Sequence, residues 1–309
     1  MNGLSLDFII HPSETLKEIL EEKQMKQEEL AIRTGYSAKH ISEVVNGKKG
    51  ISPLFAKSLE YVFGIPATFW INLQGIYDKE MLEYKEQQEI DENEVNIVKY
   101  LKDLIKYAEN NEIMCKTKDK ISQIIELRNI CNVNNLTYIN NLFTNQFAFR
   151  KSEKIVTNIY ILYVWLRICE LKSQKNKIDN NYDEEKLKNN IQNIKNCMFL
   201  EINACIKELE KIFEECGIIF QVVKNFAGAP VQGFIKKIDN KILLSMTIRG
   251  AFADVFWFTL FHEIGHLLNN DIVNNNYVDF MESKSTAEDE ADKFAKNILI
   301  NDEDYKVFT

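Results

Sequence analysis

The sequence predicts a mainly α fold with a small β-meander, split between an N-terminal five-helix bundle and a C-terminal α+β domain. Three observations predict it. Residues 12–63 carry apolar side chains at helical spacing, broken by short turns rich in Ser, Gly and Pro. Residues 218–248 switch to short β-branched runs bounded by Gly, Pro or Asp-Asn. Residues 254–268 and 286–300 return to the helical period. A length of 309 residues is long for one domain and comfortable for two.

The N-terminal elements come in order. Residues 12–22 open with Pro12 and Ser13 and place Leu16, Ile19 and Leu20 on one face. Residues 27–34 form a short second helix, and Gly35 follows where a left-handed residue is wanted. Ser37 caps a third helix over 38–46, which Gly47 ends. Ser52-Pro53 opens a fourth, ended by Gly64-Ile65-Pro66. The bundle is assigned residues 1–78. Residues 79–109 read as helical, with the charged run from Glu83 to Glu94 as a solvated linker, and 79–117 is taken as a helical linker. The second domain is assigned 118–309. Its middle is helical, with an apolar helix over 155–171 and a long or broken amphipathic helix over 186–216. Residues 218–223, 231–236 and 241–248 read as a three-stranded meander. The Asn-rich stretch 269–285 reads as a plain loop.

Composition narrows function. Hydrophobic residues make up 45% and charged residues 27%, which is ordinary globular usage. The net charge of −8 excludes general polyanion binding, so any DNA contact must be local. Within 10–50, seven basic residues balance seven acidic ones, but Arg33, Lys39, Lys48 and Lys49 gather in the second half against Glu43 alone. The start lacks a charged leader and no apolar run is long enough for a bilayer, so the expectation is a cytoplasmic protein with no membrane partner. Six scattered cysteines form no CxxC pair and read as reduced, mostly buried thiols.

Two motifs carry chemistry. Residues 27–46 fit a helix-turn-helix, in which Ala31, Ile41 and Val44 pack the two helices together and Gly35 permits the turn. The second helix then offers its N-terminal residues to a major groove. Ser37, Lys39, His40, Ser42 and Glu43 are the candidates for bases or phosphates. Gln27 stands at a helix N-terminus that suits a phosphate, and Asn46 and Lys48 flank the DNA backbone.

The second motif is His262-Glu263-Ile264-Gly265-His266. Two imidazoles at i and i+4 share one helical face, the bite that a tetrahedral Zn²⁺ requires. Glu263 stands beside them, placed to take a proton from a water the ion activates and to return it to a leaving amine. Gly265 lets another backbone approach. The remaining histidines, His11 and His40, lie in the first domain. The third ligand is therefore a carboxylate, from Glu288, Asp289 or Glu290 at the head of the next helix. Glu290 and Phe294 are i, i+4, so one face can hold a ligand and a core aromatic. No side chain is assignable to the oxyanion; Tyr277 and Arg249 are only guesses.

The first motif, with residues 11–78 around it, resembles the Cro/C1-type family and within it the HigA-like antitoxins. That resemblance implies a homodimer on palindromic operator DNA. Residues 253–300, through DVFWFTLFHEIGHLL and EDEADKFAKNIL, resemble the ImmA/IrrE metallopeptidase family, and fused proteins of the two types match nearly the whole chain. This second resemblance implies a zincin-like fold, zinc on His262, His266 and Glu290, and Glu263 as general base. The ILIN at 298–301 departs from that family's LLMP ending. Two functions stand as expectations. One is a DNA-binding regulator with a zinc endopeptidase domain acting on a repressor or toxin–antitoxin partner protein. The other is an antitoxin-type regulator whose peptidase-like domain is a non-catalytic sensor or partner-binding module.

Overall fold

The computed structural model describes residues 6–146, 158–229, 231–248, 253–271, 276–280 and 286–300. The chain divides into two compact units, residues 1–91 and 92–309.

The first unit has the five helices its turn residues predict: α1 (Pro12–Glu22), α2 (Gln27–Thr34), α3 (Ala38–Val45), α4 (Pro53–Phe63) and α5 (Ala67–Gln88). Local chemistry sets their ends. His11 caps α1, its Nδ1 accepting from Ser13 N at 3.0 Å. Ser37 and Ser52 cap α3 and α4, each accepting from the backbone N–H three residues on. Gly35 closes α2 at φ 74° and Gly64 closes α4 at φ 72°, a conformation that costs a residue with a Cβ. The core gathers Leu16, Leu30, Ile41, Phe55, Leu59 and Trp70, all fully buried. Each such side chain contributes roughly 1.5–3 kcal/mol of transfer free energy.

The division falls at 91/92 rather than at 78. Residues 79–88 continue α5, and residues 92–117 are not a linker. They form α6 (Glu92–Tyr100) and α7 (Lys102–Asn110), whose stripe of Ile97, Val98, Leu101, Leu104, Ile105 and Ala108 is buried in the second unit. Glu94, fully buried, ties α6 to α8 (Lys120–Cys131): Arg128 Nε donates to it at 3.0 Å, and Leu136 N at 2.8 Å. Helices α9 (Ile139–Gln146), α10 (Ile159–Ser173), α11 (Glu184–Asn196) and α12 (Ile202–Glu215) complete the helical part. The long amphipathic stretch is thus a broken pair, parted by a 3-10 turn at Cys197–Phe199.

Four strands follow, not three: β1 (Ile218–Lys224), β2 (Val231–Ile238), β3 (Lys241–Ile248) and β4 (Asn276–Phe280). Their order is β1-β3-β2-β4, so the expected meander is wrong. β1 pairs with β3 in parallel, and β2 and β3 form an antiparallel hairpin about Asp239, at φ 52°. The reason lies in β3, buried from Ile242 through Thr247 on both faces, which a central strand needs and the last strand of a meander does not. β4 lies within the stretch 269–285 that reads as a loop and pairs antiparallel with β2. Helices α13 (Ala253–Leu268) and α14 (Thr286–Leu299) pack on each other, and α13 also meets β2. From Thr259 to Leu267 every residue of α13 is buried. Among the described residues five cysteines are buried and Cys115 is exposed, all as free thiols, and no helix is long and apolar enough to cross a membrane.

Candidate metal centre and nucleic-acid interface

Burial of α13 brings two imidazoles into a dry environment, where each ring nitrogen needs a partner. His262 Nδ1 faces Asp292 Oδ1 at 3.0 Å, and His266 Nδ1 faces Asp271 Oδ2 at 2.8 Å. Carboxylates accept, so both rings carry their proton on Nδ1 and turn Nε2 inward. The two Nε2 atoms lie 2.9 Å apart, with Glu288 Oε2 at 3.2 Å from the first and 3.7 Å from the second. Three acceptors at that range repel unless a cation or a shared proton lies among them. A tetrahedral site with ligand bonds of about 2.0–2.1 Å has edges of about 3.3 Å, which these separations bracket. His262, His266 and Glu288 therefore fit a divalent ion by donor type and by spacing.

The third carboxylate corrects the sequence expectation. Asp289 and Glu290 are exposed, while Glu288 is turned inward. Two residues along a helix is about 200° of rotation, so Glu288 and Glu290 face opposite ways. Ala291 and Ala295, both fully buried, mark the inner face of α14, and Glu288 and Asp292 lie on that stripe. A Cβ on Gly265 would lie 3.0 Å from Ala291 Cα. That close approach of α13 to α14 is what the glycine allows, as its place in the motif predicts. The buried small residues at 291 and 295, the first of them against Gly265, are the signal that picks out 288.

Glu263 is fully buried. A Cβ on Gly233 of β2 would lie 1.7 Å from Glu263 Oε1 and 2.1 Å from its Cδ. The Glu263 carboxyl thus occupies the space a side chain at 233 would need. Sequence reasoning missed Gly233, Asp271 and Asp292, since none belongs to the motif. Arg249 and the side chain of Tyr277 lie outside the described residues.

In the first unit, Ala31, Ile41 and Val44 are buried between the helices they were expected to join. Gln27, Ser37, Lys39, Asn46 and Lys48 reach the surface. Ser42 and Glu43 are half-buried, with Lys39 Nζ 4.0 Å from Glu43 Oε1. The first turn of α2 has no side-chain cap, so its N–H groups face outward. The helix-turn-helix family profile matches residues 16–70. That match lies wholly within the first unit. Among solved structures, the chain is 32% identical to the Pseudomonas aeruginosa antitoxin HigA, solved with the higBA promoter, over 26% of this chain and 95% of that one, with a TM-score of 0.25. It is 35% identical to PA4674 of Pseudomonas aeruginosa, solved with its 18-base-pair operator DNA, over 24% and 80%, with a TM-score of 0.23. It is 30% identical to a HigA-family addiction-module antidote protein from Coxiella burnetii, over 26% and 95%, with a TM-score of 0.24. No curated protein matches the chain.

Within the helix-turn-helix unit His40 departs from expectation. Its ring packs on Tyr36 at 4.6 Å and Phe55 at 5.2 Å, and its Nε2 is buried without a partner. Burial, with a smaller push from Lys49, holds its pKa below the ordinary histidine value. His40 thus packs on its neighbours and is half-buried. Asn46 is committed too, its Nδ2 donating to Ser42 O at 2.8 Å. Lys39 and Lys48 remain exposed.

Proposed function

We propose that the chain is a DNA-binding transcriptional regulator whose second unit is a zinc-dependent endopeptidase, acting on a repressor or a toxin–antitoxin partner protein. The helix-turn-helix unit binds operator DNA as a homodimer, with Lys39, Lys48 and the open N-terminus of α2 on phosphates. The observation that carries the peptidase reading is the convergence of both Nε2 atoms and Glu288 Oε2, with each Nδ1 held by its own aspartate. His262, His266 and Glu288 would hold a zinc ion, which would supply Lewis acidity toward a peptide carbonyl and a water. Asp292 and Asp271 fix both rings so that neither turns its proton inward. Glu263 accepts the proton of the attacking water and passes it to the amine as the C–N bond breaks. Gly233 leaves Glu263 the room to do so.

One observation favours the second reading, a metal-dependent sensor without turnover: Glu263 and His266 are fully buried. The Glu263→Gln chain separates the two. Zinc content of purified wild type should be one per chain and should fall with His262→Ala or His266→Ala. Glu263→Gln should keep the zinc and trap its protein partner uncleaved. Continued processing of that partner by Glu263→Gln would remove the peptidase reading and leave the sensor.

A further inference from the structure

The His266 ring is held by the way α13 ends. Two backbone bonds close that end: Asn270 N donates to Leu267 O at 3.3 Å, and Asp271 N donates to His266 O at 3.1 Å. Asn270 itself is left-handed, at φ 58°. These are the paired bonds of a Schellman turn, with Asn270 in the left-handed place. Such a turn folds the residue after the left-handed one back onto the helical residue five places earlier, and the two side chains that meet there are commonly apolar. Here they are a carboxylate and an imidazole: Asp271 Oδ2 lies 2.8 Å from His266 Nδ1. His266 and Asp271 are thus joined twice, once through the backbone and once through their side chains. The other aspartate behind a ring, Asp292, lies within α14 and depends on no turn. Asn270 is exposed, so packing does not select its side chain. What the position needs is a residue that accepts a left-handed backbone. Asn does so readily, Gly does so freely, and a β-branched residue does so only under strain.

We infer that Asn270 is a positioning residue of the metal centre: its left-handed backbone carries the Asp271 carboxylate back to His266 Nδ1 and so keeps His266 Nε2 turned inward. The inference rests on the metal reading of His262, His266 and Glu288, and it adds a residue that acts through the turn alone. A β-branched side chain at 270 pulls the backbone toward ordinary helical or extended values, and either takes Asp271 away from the ring.

The test is a zinc-affinity series on the full chain, read by competition with a chromophoric chelator, each variant first shown to be folded by circular dichroism. Asn270→Gly should bind zinc as wild type does. Asn270→Val should bind about 10- to 100-fold more weakly, the loss expected when a histidine ligand loses its carboxylate partner, and Asp271→Ala should lose as much. Asn270→Ala, a milder strain, should fall between Gly and Val. In an Asp271→Ala background, Asn270→Val should change affinity by no more than about 2-fold, because the turn then has no carboxylate to place. A turn that only steadied α13 would instead make Asn270→Val equally costly with and without Asp271. A second readout needs no metal. The Nδ1 proton of His266, shielded from solvent exchange by Asp271, should give a proton resonance in wild type and Asn270→Gly that is missing in Asn270→Val, Asp271→Ala and His266→Gln. Zinc affinity of Asn270→Val equal to wild type, or a loss that persists in full without Asp271, would overturn the inference. Failure of wild type to bind zinc would sink the metal reading instead, and the ring-proton resonance would still decide whether Asn270 places Asp271.

Discussion

Gly233→Ala tests the site with one methyl group. The added carbon would lie 1.7 Å from Glu263 Oε1, 2.1 Å from Cδ and 2.7 Å from Cγ. Contacts under 3 Å cannot persist, so either the carboxyl or the strand must move. Neither moves freely, since Glu263 is fully buried and β2 is paired on both sides. Overpacking of this kind costs about 1–3 kcal/mol. The cost belongs to the pair rather than to either residue, so a double-mutant cycle isolates it. In a Glu263→Ala background the carboxyl is gone, and Gly233→Ala should cost less than ~0.5 kcal/mol, as an unstrained surface change does. The assay is urea unfolding of the full chain with chelator present, so that metal binding does not add to the difference. Peptide hydrolysis by Gly233→Ala should fall together with its stability, while zinc stoichiometry stays at one. If Gly233→Ala costs the same with and without the Glu263 side chain, the two residues do not compete for one space and the placement of the Glu263 carboxylate is wrong.

Other predictions come from the same geometry. Asp292→Ala should lower zinc affinity by about 10- to 100-fold, as loss of a carboxylate behind a metal-binding histidine does, with little change in folding because Asp292 is partly exposed; a chromophoric chelator competition measures it. Glu288→Gln should abolish tight zinc binding and Glu290→Gln should not, which the same titration reads directly. His40 gives a pH dependence. Its folded pKa lies below its ordinary value, so below about pH 6.5 the unfolded chain binds the proton that the fold refuses, and the first unit loses stability as pH falls while keeping it above that range. His40→Phe should flatten that slope, seen in urea midpoints at pH values of about 7.5 and 5.5, and an unchanged slope would contradict the burial of this ring. Lys39→Ala and Lys48→Ala should each reduce the slope of log K against log salt on operator DNA by about one, measured by anisotropy at several salt concentrations.

The parts legible in sequence are those that local chemistry decides. The first-unit helices begin at Ser37 and Ser52 and end at Gly35 and Gly64 because capping and left-handed turns are single-residue effects. The motif at 262–266 is legible because a helical repeat alone puts both rings on one face. The strands at 218, 231 and 241 are visible as strands, but composition does not name neighbours, and β3 comes between β1 and β2. β4 is hidden in an Asn-rich stretch, since pairing with β2 rather than propensity makes it a strand. The choice between Glu288 and Glu290 needs the rotation of α14 about its axis. Phe294, the expected core aromatic, does pack against the core, but Glu290 one turn before it is exposed, and it is Ala291 that lies against Gly265 of α13. The environment of His40 is not legible in sequence, because its packing on Tyr36 and Phe55 exists only in the fold.

The three ligand positions come from two helices, and that sets how the site behaves. α13 gives both imidazoles at a fixed spacing, so their separation is a property of one rigid element. α14 gives Glu288 and, one turn on, Asp292, so one helix holds both a ligand and the clamp on a ligand of the other helix. Any shift of α14 along α13 would therefore loosen His262 and withdraw Glu288 together. The contact that prevents it is Gly265 against Ala291, where the two helices meet with no slack. A site built this way depends on the α13–α14 contact as well as on each of its three side chains.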